Sequence, residues 1–176
     1  MACLTTRLQA DHCPEDRVTS GEPEQSLAGV SFEHDTIERL LTRLGKPAKH
    51  EEGHDPDYPV GSGWASYEWK RGRTTINVAT EFYTAESGAR IEGLEVVELL
   101  GDPSDQVPGT GRGLRLGDAL DRATKLYGTR YVEGTVNGPK LAKRTITYCF
   151  TDETEPSLGL NDTGVVVAMR LAPSAE

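Results

Sequence analysis

His34-Asp35-Thr36-Ile37-Glu38-Arg39-Leu40-Leu41-Thr42-Arg43-Leu44-Gly45 returns later in the chain as Gly117-Asp118-Ala119-Leu120-Asp121-Arg122-Ala123-Thr124-Lys125-Leu126-Tyr127-Gly128. Adding 83 to each number in the first stretch gives its counterpart in the second, with Asp, Arg and the closing Gly identical. A match in fixed register reads as a duplicated structural unit. In the first stretch Ile37, Leu40, Leu41 and Leu44 stand at i, i+3, i+4 and i+7, which is one apolar stripe of a helix. Asp35 is expected as its N-cap with Glu38 three residues on, and Gly45 followed by Pro47 ends it. The second stretch repeats the logic, with Asp118 as expected cap, Leu120, Ala123 and Tyr127 as stripe, and Gly128 as stop.

Strand patterns follow each helix. Trp64 to Trp69 alternates with Ala65, Tyr67 and Trp69 on one side, and Thr145 to Phe150 alternates with Ile146, Tyr148 and Phe150 on one side. Leu94–Val97 and Val165–Ala168 close the two series. A hairpin is expected at Lys70–Arg73. A loop of Arg71 and Gly72 sets Tyr67 opposite Ile76 and Ala65 opposite Val78, apolar facing apolar. The expected fold is therefore α+β: two tandem helix-plus-antiparallel-hairpin units forming one sheet, with both helices on one face. Residues 1–28 read as a flexible N-terminal tail rich in Glu, Asp, Pro and Ser. Residues 29–108 form the first repeat and 109–176 the second.

Gly117, Ala123 and Gly128 have the spacing of a Gly, an apolar residue six positions on and a Gly eleven positions on. His34, Leu40 and Gly45 keep that spacing with His in place of the first Gly. With this motif on tandem helix–sheet units, residues 29–172 resemble the β-lactamase inhibitory protein family and its relatives among small outer-membrane lipoproteins. The Met-Thr pair common there after the first Gly is replaced here by Asp118-Ala119. The resemblance implies a non-enzymatic protein that binds other proteins. It further implies a periplasmic or secreted location with a leader removed; without it, the chain reads as cytoplasmic.

Composition narrows the function classes. The chain has 176 residues, is 36% hydrophobic and carries a formal net charge of −9. Such a balance disfavours nucleic acid, whose phosphates need clustered Lys and Arg, and disfavours anionic lipid. No apolar run is long enough to cross a bilayer. The three cysteines do not make a disulfide framework. Cys3 and Cys13 are candidates to pair with each other in the tail, and Cys149 reads as a small buried or half-buried apolar residue.

The candidate chemistry reduces to a few segments. His50-Glu51-Glu52-Gly53-His54-Asp55-Pro56-Asp57 is the densest ligand cluster, but Gly53 and Pro56 oppose the helix that would bring both histidines to one face. It reads as a solvated acidic loop, with no metal or cofactor expected. Gly109–Gly113 is either an anion-binding nest or, as favoured here, a flexible linker between the repeats. Val60–Trp64 reads as a turn before a strand, and Asp152–Glu155 as a charged hairpin loop. No catalytic residue emerges.

The aromatics on the polar face are the best site candidates. Parity places Trp64, Glu68, Asn77, Glu81 and Tyr83 opposite the side that the helices cover. Exposed Trp and Tyr with neighbouring carboxylates are what a surface for another protein, preferably basic, requires. The favoured function is a non-catalytic protein-binding or inhibitory module. The alternatives are a small metal-dependent or hydrolytic enzyme built on the His50–Asp57 loop, and a cytoplasmic structural or immunity-type partner.

Overall fold

The computed structural model describes residues 22–54, 60–135, 142–150 and 154–173. Among them are two short helices, α1 (Ile37–Leu44) and α2 (Leu120–Tyr127), and ten strands. β1 (Ser26–Leu27) and β2 (Val30–Ser31) form a small hairpin. β3 (Lys49–Gly53), β4 (Gly63–Arg71), β5 (Thr74–Thr84) and β6 (Arg90–Leu100) follow α1; β7 (Val132–Thr135), β8 (Arg144–Thr147), β9 (Thr154–Leu160) and β10 (Val166–Pro173) follow α2. These eight make one antiparallel sheet in the order β3-β4-β5-β6-β10-β9-β8-β7. The fold is thus mixed α+β, dominated by a large antiparallel sheet.

The helices begin one residue later than expected. Thr36, in extended conformation, is the N-cap of α1, and its hydroxyl accepts from the Arg39 N–H at 3.4 Å. Asp35 is used differently: it accepts from the Ser31 N–H at 2.8 Å and pairs with Arg43 at 2.9 Å, fastening α1 to the β1–β2 hairpin. Ala119 is the N-cap of α2 and makes no side-chain cap bond, while Asp118 accepts from the Arg115 N–H at 2.8 Å. Gly45 and Gly128 end the helices at φ 79° and 90°, a region that costs a side chain dearly.

Ile37 and Leu40 from α1, and Ala123 and Tyr127 from α2, enter one core cluster with Trp69, Ile76, Val78, Leu99, Ile146, Leu158 and Leu171 of the sheet. Trp69 donates its indole N–H to the Gly45 carbonyl at 2.8 Å, locking β4 to the end of α1. Tyr127 packs its ring on Tyr148 at 5.1 Å. Burying a side chain of this size contributes about 1.5–3 kcal/mol.

Several segments read as loops or tail are built into this frame. Residues 22–28 belong to it, since Leu27 is 1% exposed and Glu24 is 3% exposed; residues 1–21, with Cys3 and Cys13, lie outside the described residues. Lys49–Gly53 is an edge strand paired with β4, not a loop, because backbone pairing tolerates charge on an edge that faces water. Asp55, Pro56 and Asp57 lie outside the described residues. Thr154 and Glu155 open β9 and are buried, whereas 151–153 are not described. Gly109–Gly113 is a fixed connection: the Gly109 carbonyl accepts from Ala28 N–H at 2.9 Å and Thr110 is buried. Cys149 is buried, as read, but it is disulfide-bonded rather than simply packed.

The β4–β5 hairpin turns on Gly72 and Arg73, one position beyond the expected loop. Gly72 has φ 61° and Arg71 faces Thr74. Positive φ at the first loop residue only is the geometry of a type II′ turn, for which Gly is the fitting residue. Tyr67 consequently faces Val78, and Trp69 faces Ile76. A slip of two keeps every side chain on its expected face.

Candidate binding face

β4 and β5 place their even and odd residues on opposite faces, so that Ala65, Tyr67 and Trp69 go inward with Ile76, Val78 and Phe82. The five candidate residues go outward. The register makes neighbours of Trp64 and Glu81, and of Glu68 and Asn77, with Tyr83 two residues beyond Glu81 on β5. Trp64 is 44% exposed and Tyr83 53%. Glu68 is engaged with Lys70 at 3.7 Å.

β6 completes this face with residues that the sequence did not reveal. Ile91, 45% exposed, lies directly across from Tyr83. Gly93 lies across from Glu81, and a Cβ added there would meet no atom of the other described residues within 4 Å. A bulge follows: Ala79 pairs with Val96 and Thr80 with Leu94, leaving Glu95 as the extra residue. Such a bulge re-aims a side chain, and here it brings the Glu95 carboxyl beside that of Glu81. Burial, then repulsion from Glu81, pushes the Glu95 carboxyl above its ordinary range.

Further along, polar side chains cross four strands. Ser66 donates to the Asn77 side-chain carbonyl at 3.1 Å, Asn77 donates to Glu98 at 3.2 Å, and Glu98 stands 3.7 Å from Arg170. Burial holds Glu98 above the usual carboxylate range against the pull of Asn77 and Arg170. The open surface is limited in extent: β4 alternates buried and exposed positions, whereas β9 is buried along its whole length. The accessible apolar side chains Trp64, Tyr83 and Ile91 therefore gather at the β4–β6 end.

Gly53 explains the pose of the indole. It pairs with Trp64, and a Cβ on it would come within 2.6–2.8 Å of three indole ring atoms. The tryptophan thus lies over the β3 backbone, and any side chain at Gly53 would displace it.

A second polar cluster occupies the inward face at the same end of the sheet. Arg90 reaches Glu52 at 3.1 Å and Glu92 at 3.0 Å, and its guanidinium sits 3.6 Å over the Phe82 ring. Tyr67 donates to Glu92 at 3.0 Å, Thr80 donates to the same carboxylate, and the His50 ring stacks on Tyr67 at 4.4 Å. His54 donates from Nδ1 to the Ser62 carbonyl at 2.8 Å. These groups satisfy one another at this end of the sheet. Among the described residues no group of three or more His, Cys, Asp or Glu has the arrangement of a metal site.

Comparison with protein-family models, with curated proteins and with solved structures finds no match to this chain.

Proposed function

We propose that this chain is a non-catalytic protein-binding or inhibitory module that works through the open β4–β6 face. The observation that carries the reading is the gathering of Trp64, Tyr83 and Ile91, each about half exposed, on one surface beside Glu81. Large aromatics left accessible on an ordered sheet supply interface area at small entropic cost. Of the His50–Asp57 segment, the described His50, Glu52 and His54 are engaged with neighbouring side chains and backbone, which favours the binding reading over an enzyme built there.

The finer architecture belongs to the same proposal. α1 with β3–β6 and α2 with β7–β10 form two tandem units whose helices share a face, a reading supported by the repeated helix stretch, the matching Gly stops and the single core. It agrees with the resemblance to the β-lactamase inhibitory protein family. A disulfide at Cys149 favours an oxidising compartment such as the periplasm or the exterior.

The test is retention of a host protein on immobilised wild-type chain and on Trp64→Ala. A central anchor is worth about 2 kcal/mol or more, or about thirtyfold in Kd. A protein bound equally by both chains, with Tyr83→Ala also without effect, rejects this face as the binding surface.

A further inference from the structure

We propose that the Trp64–Tyr83–Ile91 patch docks a basic segment of a partner protein, with a Lys or Arg side chain seated over Gly93 between Glu81 and Glu95. This rests on the protein-binding reading above and specifies the partner's chemistry.

Space, charge and apolar surface coincide at one place. Side chains on one face of a strand recur about every 6.5–7 Å, so the missing side chain at Gly93 leaves a gap between Ile91 and Glu95 on β6. Its floor is backbone, and none of the other described residues stands within 4 Å of the position a Cβ would take. Glu81 borders the gap from β5, directly across, and the bulge brings Glu95 to Glu81. A cation entering there meets two carboxyl groups and relieves the repulsion between them. Its aliphatic stem would lie along Ile91 and Tyr83, which are cross-strand neighbours. Trp64 pairs with Glu81 across β4 and β5, and its indole, lying over Gly53 of β3, can meet an adjoining apolar side chain of the same segment.

Charge also decides between occupants. A second copy docked by two-fold symmetry would set this acidic patch against itself, in a chain of net charge −9. A nucleic acid or an anionic membrane meets the same repulsion. A basic polypeptide gains attraction in both steering and docking.

The experiment is an NMR titration of the full-length, isotopically labelled chain with two blocked pentapeptides, acetyl-Ala-Leu-Lys-Leu-Ala-amide and its analogue with Gln in place of Lys. Expected are saturable shifts of the Trp64 indole and of the Ile91 and Gly93 amides with the Lys peptide, and at least tenfold weaker binding of the Gln peptide. Glu95→Gln and Glu81→Gln should each bring the Lys peptide down toward the Gln peptide, with a dispersed spectrum confirming the fold. Equal binding of both peptides, weakened by Trp64→Ala, overturns the cation seat and leaves the protein-binding reading standing. No shift at these positions with either peptide overturns the inference, while retention of a host protein still tests the broader reading by itself. Shifts on simple concentration of the chain would assign the patch to a second copy and overturn it as well.

Discussion

The phenol of Tyr127 donates a 2.8 Å hydrogen bond to the carboxylate of Glu24, joining positions 103 residues apart. The same carboxylate accepts from the Gly111 N–H at 3.0 Å and the Arg112 N–H at 3.2 Å, and the Thr110 hydroxyl lies 2.7 Å from the phenol oxygen. Successive backbone N–H groups make an anion-binding concavity. The glycine-rich stretch, read as a flexible linker in preference to a nest, is instead a fixed connection whose Gly111 and Arg112 N–H groups hold an anion that the chain itself supplies. Glu24→Ala takes this acceptor from the Tyr127 phenol and from the N–H groups of Gln25, Ser26, Gly111 and Arg112, and an unsatisfied buried donor costs about 1–3 kcal/mol. Urea unfolding should show a loss of about 2 kcal/mol or more.

Leu40→Ala and Trp64→Ala should separate core from surface. Leu40 is wholly buried against the sheet, and its truncation is expected to cost about 2–5 kcal/mol. Trp64 is 44% exposed, and its truncation should cost below about 1 kcal/mol. Reversed magnitudes in thermal or urea melts would place Trp64 in the core and remove it from the binding face.

Gly72→Ala tests the hairpin. The residue has φ 61°, and a Cβ there would collide with the Asp105 carboxylate, which accepts from the Arg73 N–H at 2.7 Å and the Thr74 hydroxyl at 2.8 Å. Strain and the broken contacts together should cost about 1–3 kcal/mol. A melt unchanged by this substitution would contradict the turn geometry.

Stability should fall as pH rises above the ordinary carboxyl range. Burial holds Glu98 and Glu155 above the ordinary Glu value of 4.5 in the folded chain. A group with a raised folded pKa binds its proton better when folded; its contribution is full below 4.5 and is lost as pH climbs through the raised value. Asp35 and Glu52 act oppositely. Burial works to raise Asp35, but Arg43 and the Ser31 N–H outweigh it, and Arg90 lowers Glu52. Their contributions are lost as pH falls through their lowered values. Urea midpoints should therefore peak near the ordinary carboxyl values, and Glu98→Gln should flatten the decline on the alkaline side. A midpoint that rises steadily from pH 4.5 to about 8 would refute this.

Tyr148→Phe is expected to be neutral or to stabilise by up to about 1 kcal/mol. The Tyr148 hydroxyl is buried and finds no hydrogen-bond partner among the described residues. Removing it relieves a desolvated polar group while the ring keeps its packing on Tyr127 and Tyr131. A loss above about 1 kcal/mol in urea melts would reveal a partner for the hydroxyl.

How much of this was legible depends on whether periodicity survives locally. The stripe Ile37–Leu40–Leu41–Leu44 and the alternation of β4 and β5 are clean, so helix α1 and the faces of Trp64, Glu68, Asn77, Glu81 and Tyr83 follow from sequence alone. Of β6 only Leu94–Val97 reads as strand, because its bulge reverses parity: Ile91 and Val97 are both odd, yet Ile91 is exposed and Val97 is buried. That concealed Glu95 and half of the candidate seat. β3 carries no apolar alternation, and β9 contains Pro156 and Gly159, which argue against a strand by composition. Glu24 looks like one more charge in a polar tail; its role depends on partners about ninety residues away, which no local pattern reports.

The seam between β6 and β10 has a consequence for how the molecule is made. Leu99 and Val97 receive Met169 and Leu171 as their partners, so the edge of β6 waits for a strand that the ribosome delivers only after residues 101–165. Until then a long strand with Val96, Val97, Leu99 and Leu100 offers unpaired backbone to any neighbour. The nascent chain is thus most vulnerable to sticking at this edge, and a holding chaperone or rapid completion of synthesis would decide the yield of native protein.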